Sequence, residues 1–426
     1  MARDRMSFSA LTLHFIYPFS VDVVQLLNNW DAIAKSAEKL STADTNNALT
    51  DSYLPSLAPL AKESMPPIPI WSHKVSVTTS DGKVTQQANL SSEVILRRNG
   101  SASCVLKLWI PIEKNLSVRE ALKFLLLGDP VGTISLSKTD TAQKQSRLPP
   151  NGRLYNYYEA TPKKAETVVP KIKRIIRYGD FQQPHSPFVL TDATLSERTP
   201  YHYLHQLTGD EPGFSDLASM LIRTYKPATT ASNAIDLKYT GFPEPFPDMK
   251  AAILSNLYPF PHLYANIHFR SCLVIQAKKY ADPQFGDYAR KYVKVLREII
   301  VAECAQWYLY LRINADLDEL LEKNAKLTNK FLGKRLQAGV DDSMEALIKS
   351  IIDLRTTAAL SLKDSLGFSH SAGSISHLVR RTTQLFNMDM LEAAIRGKLD
   401  ALNRMYFDLR ELYRLQVIKK IEAEND

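Results

Sequence analysis

The sequence predicts an α+β protein, an N-terminal antiparallel α/β sandwich followed by a mainly helical C-terminal domain with long coiled-coil-like helices. Three observations carry this reading. Short segments with period-2 apolar alternation fill residues 1–140. Asp81-Gly82 and Asn99-Gly100 stand between such segments, and these dipeptides supply the positive φ angles of two-residue hairpins. Beyond Phe285, apolar residues recur at three- and four-residue intervals almost without a break.

Taken in order, Ala10–Tyr17 alternates with Leu11, Leu13, Phe15 and Tyr17 on one face and reads as a strand. Ser20 is placed to cap a helix whose apolar stripe is Val23, Val24, Leu27, Trp30, Ile33 and Leu40. Residues 41–69 are rich in Ser, Thr, Asn and Pro and read as a long loop. Strand segments follow at Val75–Thr79, Val84–Ala88, Val94–Arg98 and Cys104–Ile110. Ser117 with Glu120 forms a capping box for a helix through Leu127 that Gly128 stops, and Val131–Ser137 is a further strand. That order predicts a sheet with helices on one face.

The middle, residues 141–260, reads as a mixed linker and helical region. Gln143–Tyr158 is loop-like, Pro170 opens a short helix, and Thr199-Pro200 and Ser215 are further helix starts. The last part, residues 261–426, begins with a strand at Tyr264–Ala277 and continues as helices over Phe285–Lys330, Ser343–Leu366, a short stretch from Ser374, and Asp389–Ala423. Asn314 and Asn324 are the candidate breaks in the first of these.

Composition excludes several classes. At 426 residues with 45% hydrophobic and 23% charged residues, the chain is globular rather than disordered. The apolar run that ends at Pro18 is too short to span a bilayer and has no cleavage site behind it, and Glu303 and Arg312 interrupt the run Ile299–Tyr310. No membrane association is expected. Cys104, Cys272 and Cys304 are three and far apart, which fits neither a disulfide framework nor a zinc knuckle and points to a reducing, cytoplasmic setting. The Gly-rich phosphate loops of common nucleotide-binding folds are missing, and no cofactor is expected.

Candidate sites are few. His202 and His205 stand one helical turn apart without a third ligand nearby, so no metal is expected there. Asp316, Asp318, Glu319 and Glu322, like Asp341 and Asp342, have the spacing of a solvated helix face. The net charge of +8 is unevenly spread. Between Lys138 and Tyr178, Arg153, Lys163, Lys164, Lys171, Lys173, Arg174 and Arg177 are interleaved with Tyr155, Tyr157 and Tyr158. Cations for phosphate and rings for bases are the means by which single-stranded nucleic acid is bound, with Tyr157 the candidate stacking ring. A second basic excess runs from Arg270 to Arg297.

The C-terminal helix carries Leu391, Ile395, Leu399, Leu402, Met405, Leu409 and Leu412 on one stripe. A helix of roughly 35 residues spans about 50 Å, more than one ordinary domain, so part of the stripe is expected to meet a partner helix or a second protomer. The leading expectation is therefore a non-enzymatic interaction or scaffold protein, a homo-oligomer or the binder of a partner protein. A nucleic-acid-binding subunit using residues 138–178 is the alternative. An enzyme of unrecognised type stays open, because catalytic groups distant in sequence converge only in the fold.

From Leu263 to Ala423, a strand followed by long helices resembles the soluble body of CorA-type metal-ion transporters in the order and length of its elements. The chain departs from that family in having no membrane span after Ile421 and no Gly-Met-Asn motif; Phe386-Asn387-Met388-Asp389 does not replace it. The resemblance implies no transport and carries over no residue.

Overall fold

The computed structural model describes residues 6–40, 64–78, 85–112, 115–125, 133–136, 148–176, 187–197, 199–200, 220, 263–268, 271–278, 283–333, 342–363 and 374–425. The elements are β1 (Ser7–Ser20), α1 (Val23–Leu40), β2 (Ile68–Thr78), β3 (Thr85–Leu96), β4 (Ser101–Ile110), β5 (Leu116–Ser117) and α2 (Val118–Leu125). They continue with β6 (Thr133–Leu136), β7 (Asn151–Gly152), α3 (Leu154–Val168), a 3-10 turn at Pro170–Arg174, β8 (Phe188–Leu195), β9 (Leu263–His268) and β10 (Ser271–Ala277). Four helices follow: α4 (Pro283–Gly333), α5 (Asp342–Lys363), α6 (Ser374–Leu385) and α7 (Met388–Asn425).

The α+β class is observed, with the strands early and the long helices late. One sheet holds all the described strands in the order β7-β6-β2-β3-β4-β1-β8-β10-β9, with β5 alongside β1. Its pairs are antiparallel except β8 with β10, which run parallel. The sheet therefore crosses the expected boundaries at residues 140 and 260. β1 is central, between β4 and β8, and β10 and β9 extend the same sheet.

Period-2 alternation in β1 decides which core each residue enters. Leu11, Leu13, Phe15, Tyr17 and Phe19 face one side, where they pack with α1, α2 and α3. Ile16 faces the other, with Val105, Leu190, Cys272 and Val274 from the neighbouring strands, and the helices α4 to α7 close over them. Helices cover both faces rather than the one expected, because the sheet's second side carries its own apolar set and α4 supplies the matching stripe.

Several local expectations are corrected. Asp22, not Ser20, caps α1: its carboxylate accepts from the Gln25 amide at 3.0 Å. The two strands expected over 84–88 and 94–98 are one, β3 (Thr85–Leu96), with Arg97 and Arg98 beyond its end. The turn from β3 to β4 is a three-residue loop in which Gly100 alone has positive φ (86°). There the Gly100 amide donates to Arg97 O at 3.0 Å and Arg97 N donates to Ser101 O at 3.1 Å. The Ser117–Glu120 capping box is present in both directions. Leu154–Tyr158 is helical, since Asn156 caps α3 by accepting from the Arg153 amide at 2.8 Å. The Tyr264–Ala277 strand is two strands, and neither Asn314 nor Asn324 breaks α4. Asp81-Gly82, Gly128, His202, His205, Ser215 and Asp341 lie outside the described residues.

Candidate interaction surfaces

Two rings of the basic stretch, Tyr157 and Tyr158, turn inward, while Tyr155 is half-buried. Tyr157 is fully buried and its hydroxyl donates to the Ile134 carbonyl at 3.0 Å. Tyr158 stacks on Tyr17 with ring centroids 4.2 Å apart. Burial pushes the Tyr157 phenol up to about 12 and the Tyr158 phenol higher still. Neither ring is available to a base, which corrects the stacking role expected of Tyr157. The helical period explains it: positions 154, 157, 158, 161 and 165 form the buried stripe of α3. Arg153 and Lys163 are exposed on that helix, Lys164 is half-buried, and Lys171 and Lys173 are exposed on the 3-10 turn. The Arg174 side chain and Arg177 lie outside what the structure describes.

A polar cluster lies where α4 crosses the second face of the sheet. Arg297 pairs with Glu93 of β3 at 3.1 Å. Asp192 of β8 accepts from Gln276 of β10 at 3.1 Å. His14 and Lys107 oppose each other on β1 and β4, and Thr12 opposes Asp192 on β1 and β8. Burial raises Asp192 to about 6, against the pull of Gln276, Lys107 and Arg297. Burial, then Arg297 and Lys107, holds His14 well below the usual imidazole range. The charges are Lys107 and Arg297 against Glu93 and Asp192. Among the described residues His14 Nδ1 has no hydrogen-bond partner. Farther along α4, buried Glu303 is raised to about 7 by desolvation against the charge of Arg97, and Gln306 accepts from Asn99 in the β3–β4 turn. The cluster thus seats α4 on the β3–β4 hairpin at successive points. Sequence reading named Glu303 and Arg297 without giving them a site and missed His14, Glu93, Lys107 and Asp192, although a lone charge within an apolar run, Lys107 between Leu106 and Leu108, was an available signal.

The acidic residues of α4 behave as a solvated face. Asp316 pairs with Arg312, Glu319 with Lys323 and Glu322 with Lys326, each one turn apart, and Asp318 pairs with Lys398 of α7. Among the described residues, no group of three His, Cys, Asp or Glu side chains could hold a metal ion. All three cysteines are free and buried, and burial raises each thiol, Cys104 to about 12. Among the described residues no helix is long and apolar enough to cross a membrane.

The C-terminal helix divides into two faces. Leu391, Ile395, Leu399, Leu402 and Leu409 belong to the core shared with α4 and α5, with Ile395, Leu402 and Leu409 buried and Leu391 and Leu399 packed against them. Met405 is half-buried, and Leu412 is exposed. Most of the expected interaction stripe is therefore satisfied inside the chain. The reason is that α4 runs unbroken for 51 residues and gives α7 an intramolecular partner of comparable length. Among the described residues Leu409 is the last buried one of α7, and about 24 Å of helix follow it to Asn425.

A second apolar set, overlooked in the sequence, points the other way. Phe407, Leu415, Ile418 and Ile421 are 59, 54, 41 and 53% exposed. At 3.6 residues per turn, Phe407 and Ile418 fall roughly opposite Ile395 and Leu402 on the helix. The signal was a second three-four spacing, hidden because Glu411 and Arg414 occupy its middle positions.

No protein-family model matches the chain, and neither a curated protein nor a solved structure matches it.

Proposed function

We propose that the chain is an interaction or scaffold protein that associates through the outward face of α7 beyond Leu402. The observation that carries this is the exposure of four large apolar side chains, Phe407, Leu415, Ile418 and Ile421, on the end of a helix whose other side is packed only as far as Leu409. Leaving that area wet forgoes roughly 25 cal/mol for each Å² that a partner would cover. Charged neighbours on the same end, Arg410, Glu411 and Arg414, fit the polar rim such a contact carries. The resemblance to CorA-type bodies contributes no residue to this reading. Replacing Leu415 and Ile418 together by Asp is expected to abolish association, read as mass by light scattering and as retention of bound protein, while the melting temperature stays within a few degrees. A wild-type chain that neither self-associates nor retains any protein through α7 refutes the proposal.

Nucleic-acid binding is the second reading, favoured by the exposure of Arg153, Lys163, Lys171 and Lys173 on neighbouring segments. With Tyr157 and Tyr158 buried and Tyr155 half-buried, phosphate contact carries most of it, so binding would depend little on base identity and steeply on salt. A titration without binding at low salt removes it.

A further inference from the structure

The outward face of α7 has an internal symmetry that selects its occupant. Phe407, Glu411, Arg414 and Ile418 follow one another at intervals of four, three and four residues. That spacing is the same read in either direction, and the ends are apolar while the middle is one acid and one base. All four side chains are exposed.

We infer that a second copy of the chain docks on this face, its α7 antiparallel to the first about a two-fold axis beside Leu412 and Tyr413. This rests on the reading of α7 as the docking element. In that register Phe407 meets the partner's Ile418, and Glu411 meets the partner's Arg414, each contact occurring twice as an isologous interface requires. The next layer outward agrees with it: Ile421 falls opposite the partner's Arg404, whose aliphatic stem can cover it while its guanidinium group stays in water. A parallel pair would instead set Glu411 on the partner's Glu411 and Arg414 on the partner's Arg414, two like-charge contacts that oppose association. The strip from Arg404 to Ile421 is about 26 Å long, which places the contact below the standard interface size and the affinity in the micromolar range.

Sedimentation of the full chain tests this, from about 1 μM to about 200 μM, a range that brackets a weak dimer. The wild type is expected to pass from monomer to dimer. Glu411→Arg and Arg414→Glu, both at exposed positions, are each expected to weaken the dimer at least ten-fold with unchanged helicity and melting. Mixing the two variants is expected to restore it, because both charged contacts between an E411R chain and an R414E chain again join opposite charges. A dimer indifferent to both substitutions, or one that mixing does not rescue, overturns the inference. A wild type that stays monomeric also overturns it. In that case, a different bound protein lost from Phe407→Asp with Ile418→Asp leaves the reading of α7 standing, whereas no change in binding removes both.

Discussion

The two helical layers lean on one sheet with different balances of contact. On the first face, apolar and aromatic side chains such as Leu26, Phe124 and Tyr158 dominate, and α3 adds neutral hydrogen bonds from Tyr157 to the Ile134 carbonyl and between Thr161 and Ser92. On the second, α4 adds directional contacts to its apolar ones, from Arg297 to Glu93 and from Gln306 to Asn99, with Glu303 beside Arg97. Apolar burial is non-directional, so it makes a helix adhere without fixing where it lies. Hydrogen bonds and ion pairs have preferred geometry, so the polar seam fixes the register of α4 along the β3–β4 hairpin. What the second face adds is charge, an ion pair and a buried carboxyl along a helix of 51 residues that must also receive α5, α6 and α7.

The largest expected effect comes from removing the second layer's support altogether. A fragment ending at Ser137 lacks β8, β9 and β10, which leaves one edge of central β1 unpaired and the second face bare. It is expected to aggregate or to show no cooperative melting; a sharp two-state transition would mean that the first layer is self-sufficient. The sequence suggests that residues 1–137 hold all the elements of the sandwich provided the sheet needs no later strand, and β8, β9 and β10 are later strands of that sheet.

Next in size is Leu402→Asp with Leu409→Asp. Both side chains are buried against α4 and α5, so two carboxylates must ionise in an apolar core or stay protonated there. Truncating a buried Leu alone costs about 2–5 kcal/mol, and the charged pair is expected to exceed that. Thermal melting monitored by circular dichroism should show the helical layer lost first. If melting were unchanged and only the molecular mass fell, α7 would not be part of the core.

The smallest of the three effects separates the seam from the apolar contacts by pH. Glu303, at about 7 in the fold, has its pKa raised above the unfolded value. The fold therefore keeps its full stability on this account below the ordinary carboxyl range and loses it as pH rises through 7. Glu303→Gln is expected to remove that loss, making the variant more stable than wild type at pH 8 by on the order of 2–3 kcal/mol and nearly equal at pH 5. His14, held low, acts in the opposite sense, so the difference between variant and wild type is the informative quantity. Parallel curves for the two proteins from pH 5 to 8 would show that Glu303 is not ionising within the seam.

The α+β class and most elements were legible because they rest on local patterns: alternation in β1, the Ser117–Glu120 box, the apolar period of α4 and α7. What was not legible is pairing across distance. Nothing local to Phe188–Leu195 tells that it lies between β1 and β10, and the Asp192 carboxylate gains its meaning only from Lys107, Gln276 and Arg297, brought from three other elements. The basic stretch misled for a related reason. Tyr157 and Lys163 alternate in sequence, but the helix sorts them onto opposite sides, ring to the sheet and ammonium to water. On α7 the apolar stripe was legible, but not how much of it an intramolecular helix covers, because a helix of matching length cannot be inferred from the stripe itself.

The position of β1 sets a schedule for synthesis. Its first neighbour, β4, is complete once residue 110 has been made, and its second, β8, only at residue 195. The strands that finish the sheet end at residue 277. At roughly 5–20 residues per second, the nascent strand waits about 4–20 s between one neighbour and the next, and α4 to α7 come later still. Throughout that interval one edge of β1 is open, and an open strand edge is a template for pairing with another chain.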